Sequence, residues 1–390
     1  MFAHRTNWDL KSNEIARCLE NLKKSDVQIF DLTESNPTRC NFNYPPEKFL
    51  TPLNRTENLT YEPSAKGSLK TRESVSSYYK NFGISVDPNC IFLTASTSEA
   101  YSYIFRLLLN PNEAISVPSP SYPLFDFLTS ISDIRLHRYP LIYDTKWKID
   151  LNDLKKTIHK DSKAIVIVNP NNPTGSFIKK PELDELNQLA KTNKLALISD
   201  EVFADYSLSE NKSLVKTLSG NKQVLTFTLS GLSKVVGLPQ MKLSWLVVSG
   251  PDELLHSALE RLELISDTYL SVNTPAQTSL PEWLSNRFVI QDQIMNRIRQ
   301  NLHILHEVTT QLPFAETLAM EGGWYAVLKL RRIKNEEQFA LTVLGEHHVL
   351  IYPGYFFDFP EEGYCVVSLL PETQIFREGL LRMVNNAKNG

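Results

Sequence analysis

Lys234 is the residue whose surroundings most suggest chemistry. It lies in the segment "LSGLSKVVGLPQMK" (residues 229–242), and between Leu225 and Leu243 the only charged side chains are Lys234 and Lys242. A lysine kept from water has a lowered pKa, because desolvation disfavours its ammonium form. The neutral amine attacks carbonyl groups, so the segment predicts Schiff-base chemistry at Lys234. A loop lysine without a chemical role is the alternative interpretation of these residues alone.

Four further segments place polar or aromatic side chains directly after short apolar runs. Asn172 in "NPNNPTG" offers two donors and an acceptor, and Asp200 in "SDEVF" could hold a buried cation. Tyr122 in "PSPSYP" could stack on a flat ligand. The hydroxyls of "TASTSEAY" (94–101), at the start of a predicted helix, could bind an anion. Taken singly, these segments also fit a plain turn or a helix cap, the cap at 94–101 being Ser96 or Ser98.

These segments need a scaffold that brings them together. Short runs rich in β-branched or aromatic residues predict buried strands within 90–95, 115–117, 164–175, 195–201, 224–230 and 243–250. Helical patterns separate several of the runs, for example at 182–194. Repetition of strand, polar turn and helix predicts an α/β fold with a mainly parallel sheet covered on both faces. Ligands of such sheets bind at the carboxyl ends of the strands, which is where the polar segments lie.

Other helices are predicted outside this sheet. Ser12 or Asn13 could cap a helix over 14–24, and amphipathic patterns cover 252–269 and 290–312. From about residue 318 to 386, helical patterns alternate with shorter strand patterns. That alternation predicts a second, smaller α+β domain.

Composition excludes several classes of function. The 390 residues carry a net charge of -3 without a basic run, which gives no reason to expect nucleic acid or an anionic membrane as partner. The N-terminus lacks the apolar segment of a signal peptide, and no apolar run is long enough to span a bilayer. The four cysteines are far apart, so we expect no metal site and no disulfide framework, but reduced thiols in a cytoplasmic protein.

Taken in order, these segments resemble the class I/II aminotransferases, pyridoxal 5'-phosphate (PLP) enzymes of fold type I. The family pattern is N-P-T-G, then D-E-x-Y/F, then S-K, and here it reads 172–175, 200–203 and 233–234. The resemblance runs from "DLTESNPT" to "GYCVVSLL", nearly the whole chain. It implies an N-terminal arm with part of the small domain in 1–44, a large PLP-binding domain in 45–285 and a small C-terminal domain in 286–390.

The resemblance also implies roles for the residues that hold the cofactor ring. Lys234 matches the Schiff-base lysine, which moves a proton between Cα and C4′. Asp200 matches the partner of the pyridine nitrogen, where a carboxylate keeps the ring protonated and improves it as an electron sink. Asn172 matches the donor to the phenolic oxygen of the ring. Tyr122 matches the aromatic residue stacked on the ring.

Further roles concern the phosphate and the subunit arrangement. Thr97, Ser98, Ser230 and Lys242 fall where the family binds phosphate. Tyr61 matches a tyrosine that reaches the phosphate of the neighbouring subunit, which implies a homodimer with shared sites.

Three positions depart from the family pattern. Phe203 stands where many members have a tyrosine that donates to the ring oxygen, and Lys242 stands where many have arginine. The segment "CVVSLLPE" lacks the arginine for the substrate carboxylate expected near Val366. Arg39 is a possible replacement, since Ser35–Thr38 matches a loop that approaches this carboxylate, although a solvated surface arginine is the alternative. Ser35, Asn172 and Arg39 are therefore the predicted substrate-binding residues.

The resemblance predicts a cytoplasmic aminotransferase of a biosynthetic process. It would move an amino group between an amino acid and a 2-oxo acid through a Schiff base on Lys234. The missing arginine keeps an alternative open, a PLP-dependent lyase, decarboxylase or synthase on the same fold. A PLP-binding DNA regulator is disfavoured, because only about 30 residues precede "DLTESNPT".

Overall fold

The predicted buried strands form one large sheet in the computed structural model, which describes residues 1–389. Its eight strands lie in the order β2-β9-β8-β7-β6-β3-β4-β5. In chain order the strands of the protein are β1 Phe30–Asp31, β2 Ile91–Thr94, β3 Ala114–Ser119, β4 Arg135–Asp144, β5 Lys146–Ile149, β6 Ser162–Val168, β7 Ala196–Asp200, β8 Thr226–Gly231, β9 Ser244–Ser249, β10 Ala315–Thr317, β11 Tyr325–Leu330, β12 Val349–Leu350, β13 Tyr352–Pro353 and β14 Tyr364–Ser368.

The centre of the large sheet is parallel. Strands β4, β3, β6, β7 and β8 pair in parallel with their neighbours. Strand β9 is antiparallel to both β8 and β2, and β5 is antiparallel to β4 at the opposite edge. The predicted mainly parallel sheet is therefore confirmed, with two antiparallel strands that the sequence pattern does not distinguish.

Helices connect the parallel strands and cover the sheet. They are α1 Glu14–Lys24, α2 Pro46–Phe49, α3 Leu69–Tyr79, α4 Thr97–Leu108, α5 Phe125–Ile131, α6 Leu151–Thr157, α7 Lys180–Asn193, α8 Leu232–Val235, α9 Asp252–Tyr269, α10 Thr274–Ser285, α11 Phe288–Thr310, α12 Glu336–His347 and α13 Thr373–Asn389. The predicted helix over 14–24 is confirmed, and its cap is Asn13, whose side chain accepts from the Ala16 N–H. The helix predicted over 252–269 is confirmed as well.

The hairpin of β4 and β5 was not predicted from the sequence. The first four residues of β4 include Arg135, His137 and Arg138, and exposed positions recur along the strand. An edge hairpin that is half in water lacks the continuous apolar run that marks the buried strands.

A second sheet forms from the C-terminal part of the chain, in the order β10-β11-β14-β13. The N-terminal segment packs on this part, because β1 pairs in parallel with β12 and α1 contacts α12. This smaller sheet with α12 and α13 agrees with the predicted α+β unit. No helix within residues 1–389 is both long and apolar enough to cross a membrane.

Candidate active site

A cavity of about 480 Å³ opens at the carboxyl ends of the parallel strands. Asp200 is the last residue of β7, Gly231 is the last of β8, and Asn172 follows β6. The lining includes the predicted site residues Ser35, Thr97, Ser98, Tyr122, Asn172, Asp200, Phe203, Lys234 and Lys242. It also includes Ser96, Tyr101, Gly231, Ser233, Ser244, Tyr325 and Tyr352, which were not predicted. Segments that are far apart in the sequence therefore meet at one edge of the sheet.

Lys234 follows β8 on the short helix α8. Burial lowers the pKa of Lys234 from 10.5 to about 8, and the charge of Asp200 opposes this shift. The Nζ atom lies 4.7 Å from the centre of the Trp324 ring and 5.5 Å from that of Phe203. The Tyr206 hydroxyl donates to the Lys234 carbonyl oxygen at 2.6 Å, which fixes the backbone below the amine. A useful fraction of this amine is thus neutral near physiological pH.

Asp200 occupies the neighbouring strand. Burial raises the pKa of Asp200 from 3.8 to about 6, and this rise is opposed by the Val202 N–H, by Tyr101 and by Lys234. The Tyr101 hydroxyl donates to Oδ2 at 3.2 Å, and the Val202 N–H donates to Oδ1 at 3.3 Å. The carboxylate is therefore ionised at neutral pH but is short of partners, and a cationic ligand group would stabilise it.

Tyr101 was missed although it ends the quoted segment "TASTSEAY". It lies on α4, four residues after Thr97 and three after Ser98, and such positions share one helix face. That spacing was the available signal. Its role as donor to Asp200 depends on a contact between α4 and β7 that the sequence does not show.

The loop at Asn172 is held by the chain around Glu321. The Glu321 N–H donates to the Gly175 carbonyl oxygen at 3.1 Å, and Gly175 has a φ of +69°. A Cβ atom at Gly175 would lie 2.5 Å from the Gly322 carbonyl oxygen, so this turn requires glycine. The Asn172 Oδ1 atom is buried and finds no hydrogen-bond partner within residues 1–389. This oxygen can therefore accept a hydrogen bond from a ligand.

The part of the cavity at the start of α4 suits an anion. Ser96 is the cap of α4, since its hydroxyl accepts from the Glu99 N–H at 3.1 Å, while the Glu99 carboxylate accepts from the Ala95 N–H at 2.6 Å. The hydroxyls of Thr97 and Ser98 take no part in this cap. The first N–H groups of a helix have no partner in their own turn, so those of Thr97 and Ser98 can bind phosphate together with the Lys242 ammonium.

Phe203 presents a plain ring to the cavity. Its side chain is 4% exposed and packs edge-on against Trp324 and Tyr325, with ring centres 4.9 Å and 6.3 Å apart. The phenol found at this position in many members of the resembled family is thus absent, as the sequence indicates.

Three predicted residues do not line the cavity. Ser230 is a buried residue of β8 whose hydroxyl has no hydrogen-bond partner in the part of the chain that the structure describes. Tyr61 is 70% exposed, and Arg39 is exposed on the short turn after Asn36. No arginine lines the cavity among residues 1–389, where the cations are Lys234 and Lys242. Arg39 does not line this cavity within one subunit, so its replacement of the carboxylate arginine stays a prediction.

The residues that are present fit PLP. An amine of lowered pKa can hold its aldehyde, and a buried carboxylate can pair with its ring nitrogen. The side-chain NH2 group of Asn172, a residue of the cavity lining, can donate to its ring oxygen, and the start of α4 can bind its phosphate. No group of three or more histidine, cysteine, aspartate or glutamate side chains is placed to hold a metal ion in the described chain.

Comparisons with known proteins identify the family of the chain. Residues 28–374 match the family model described as aminotransferase class I and II. The chain is 26% identical to a glutamate-pyruvate aminotransferase of Haemophilus influenzae over 369 residues, which cover 93% of this chain and 91% of the relative. It is also 26% identical to an alanine aminotransferase of Mycobacterium tuberculosis over 328 residues, covering 83% of this chain and 75% of that one.

Solved structures share the fold. An alanine aminotransferase from Pyrococcus furiosus superposes with a TM-score of 0.86 at 25% identity, covering 97% of this chain and all of that chain. An aspartate aminotransferase from Thermotoga maritima superposes with a TM-score of 0.84 at 20% identity, covering both chains completely. The latter likeness concerns the fold alone.

Proposed function

The chain belongs to the aminotransferase class I and II family, and on that premise we propose that it binds PLP through Lys234 and transfers an amino group between an amino acid and a 2-oxo acid. It is an aminotransferase, as are the curated relatives that match most of its length. Asp200, Asn172, Tyr122 and the start of α4 would hold the rest of the cofactor.

The observation that carries this proposal is the relation of Lys234 to Asp200. Asp200 is the last residue of β7 and Lys234 follows β8, which pairs in parallel with β7, Asp200 lying opposite Leu229. Both side chains face one cavity, where burial lowers the pKa of the amine and raises that of the carboxyl. Two groups with shifted pKa values and opposite charges that line one cavity support a catalytic role.

The chemistry divides between the cofactor and the chain. When bound, PLP supplies a conjugated ring that accepts the electron pair left at the substrate Cα. Once the substrate amino group has displaced Lys234 from the cofactor, the free Lys234 amine would be the base that takes the proton from Cα. The Asp200 carboxylate would hold a proton on the ring nitrogen, and the Tyr101 hydroxyl orients that carboxylate. Asn172 would donate to the ring oxygen, and Tyr122 would stack on the ring.

For the substrate carboxylate we propose Ser35 and Asn172, which line the cavity. Arg39 lies outside the lining, so we assign it no direct contact within a single subunit. Relatives named glutamate-pyruvate and alanine aminotransferases support a donor and acceptor of the amino acid and 2-oxo acid type.

We further propose a cytoplasmic homodimer that acts in a biosynthetic process, with PLP-binding residues in 45–285 and small-domain residues in 1–44 and 286–390. The exposed ring of Tyr61 supports a role toward the partner subunit, because it does not line the cavity that holds Lys234 in its own subunit. The four cysteines are free thiols, which suits a reducing compartment. A monomer by light scattering that is active at nanomolar concentration would contradict the shared site.

The test of the proposed function is a half-reaction screen. The PLP-loaded protein is mixed with single amino acids, and the absorbance of the bound cofactor is followed while the 2-oxo acid is assayed. We expect loss of the absorbance of the Lys234-linked cofactor with stoichiometric 2-oxo acid. Release of ammonia or CO₂ without such conversion would assign a lyase or decarboxylase reaction to the site instead.

A further inference from the structure

A second cavity of about 200 Å³ lies beside the site. It shares Tyr122, Asn172, Tyr325 and Tyr352 with the larger cavity, so the two adjoin. Its remaining lining is Pro123, Phe356 and Phe357, which do not line the larger cavity. We call this space the aromatic pocket. Its lining within residues 1–389 contains five aromatic rings and no charged side chain.

The Phe357 side of the aromatic pocket is hydrogen-bonded to the loop that follows β3. The Phe357 ring packs edge-on against Tyr325 and Tyr352, with ring centres 6.3 Å and 5.7 Å apart. The Phe357 carbonyl oxygen accepts from the Ser121 N–H at 2.9 Å, one residue before Tyr122. The pocket therefore has a defined shape, with rings from the small sheet facing the Tyr122 loop.

Resting on the proposed function, we infer that the aromatic pocket receives the substrate side chain and that this side chain is apolar, either aromatic or branched aliphatic. An apolar cavity of about 150 Å³ is large enough to hold benzene, so a volume of 200 Å³ accommodates a phenyl group. A second carboxylate, as in an acidic amino acid, would be desolvated there without a cationic partner from the described residues of the same subunit. Phe356 and Phe357 are then the residues that determine specificity.

The test compares two unreactive ligands on the PLP-loaded protein. Binding of 3-phenylpropanoate and of glutarate is measured by calorimetry, since both carry a carboxylate and neither carries an amino group. We expect 3-phenylpropanoate to bind at least about tenfold more tightly than glutarate, because only glutarate brings an unpaired charge into the aromatic pocket. Tighter or equal binding of glutarate overturns the inference.

Variants at Phe356 test whether the aromatic pocket causes the difference in affinity between the two ligands. Phe356→Ala is expected to weaken 3-phenylpropanoate about tenfold, the order of one lost aromatic contact, and to leave glutarate within about twofold. Phe356→Leu keeps most of the apolar volume and replaces the alanine variant if that variant folds poorly. It should weaken 3-phenylpropanoate binding in the same direction but by a smaller factor. Phe127→Ala, which removes an exposed ring that lines neither cavity, is the matched control and should leave both affinities unchanged.

Two outcomes distinguish failure of the aromatic pocket as the side-chain site from failure of the proposed function. If the half-reaction proceeds with amino acids but Phe356→Ala affects both ligands alike, the aromatic pocket is not the side-chain site and the proposed function stands. If no amino acid reacts with the PLP-loaded protein, the proposed function fails and the assignment of the aromatic pocket fails with it.

Discussion

The Lys234 Nζ atom lies 4.7 Å from the centre of the Trp324 ring. Trp324 directly precedes β11 of the smaller sheet, whereas Lys234 follows β8 of the large one. Burial lowers the pKa of Lys234, and the Trp324 ring contributes to that burial, while the charge of Asp200 opposes the shift. Part of the burial of Lys234 is therefore supplied by a residue about 90 positions away in the sequence.

Lys234 should show its lowered pKa in its reaction with PLP. With a pKa of about 8, the attachment of PLP to the apoprotein, trapped with borohydride, should rise with pH around a midpoint near 8. Asp200→Asn removes the charge that raises this pKa, so its midpoint should be lower. The measurement is mass spectrometry of the labelled peptide after trapping between pH 6 and pH 10. A label on Lys242 in place of Lys234 would show that the attachment site is wrong.

The buried carboxyl of Asp200 should cost the apoprotein stability. Its pKa is about 6 in the folded protein, against 3.8 for an aspartate in water, so the folded protein binds more protons than the unfolded chain between these values. Stability is therefore lost as pH rises from about 4 to 6, by up to about 3 kcal/mol. Asp200→Asn should recover most of that free energy of unfolding at pH 7.5 and none below pH 4. Denaturant unfolding of PLP-free protein measures the difference, and a pH-independent gain would contradict the assigned cause.

Tyr101 should position Asp200 through its hydroxyl. Removing the donor in Tyr101→Phe leaves the carboxylate less stabilised, so its pKa rises and the acid limb of the PLP-binding profile moves to higher pH. A net hydrogen bond to a charged group is worth roughly 1.5–3 kcal/mol, which corresponds to about one to two pH units. Tyr103→Phe, two residues along the same helix and outside the cavity, is the control. Equal profiles for both variants would remove Tyr101 from this role.

Gly231 should tolerate a side chain only if Ser244 changes. A Cβ atom at Gly231 would lie 2.3 Å from Ser244 Oγ and 2.8 Å from Ser244 Cβ, although the backbone there is extended and suits any residue. Gly231→Ala should therefore destabilise the protein by about 1–3 kcal/mol, and adding Ser244→Gly should recover much of this loss. Chemical denaturation of the two single variants and the double variant measures the coupling. Additive effects would mean that the two residues do not compete for this space.

Phe203 should leave the ring oxygen of PLP without a second donor. In Phe203→Tyr a phenol can stabilise that oxyanion, which eases loss of the proton from the linkage between Lys234 and the cofactor. The midpoint of the spectrophotometric titration should then fall by about one to two units, the worth of one charge-assisted hydrogen bond. An unchanged or raised midpoint would place Phe203 away from the ring oxygen.

The sequence by itself determined the parts of the site that lie at strand ends. Lys234, Asp200, Asn172 and Tyr122 each follow an apolar run, and parallel strands bring such positions to one edge. Their chemistry could be predicted because these polar residues directly follow runs of apolar, β-branched residues. The same local signals predicted helix α1 with its Asn13 cap.

Only the tertiary structure decided which neighbours complete the site. Side chains of a strand alternate between faces, so Ser230 is buried away from the cavity while the next residue, Gly231, lines it. The hydroxyl at this point comes from Ser244, which pairs with Gly231 across β8 and β9. Trp324 likewise reaches Lys234 only because the small sheet packs there. Such contacts depend on register and packing between distant segments, which local pattern does not encode.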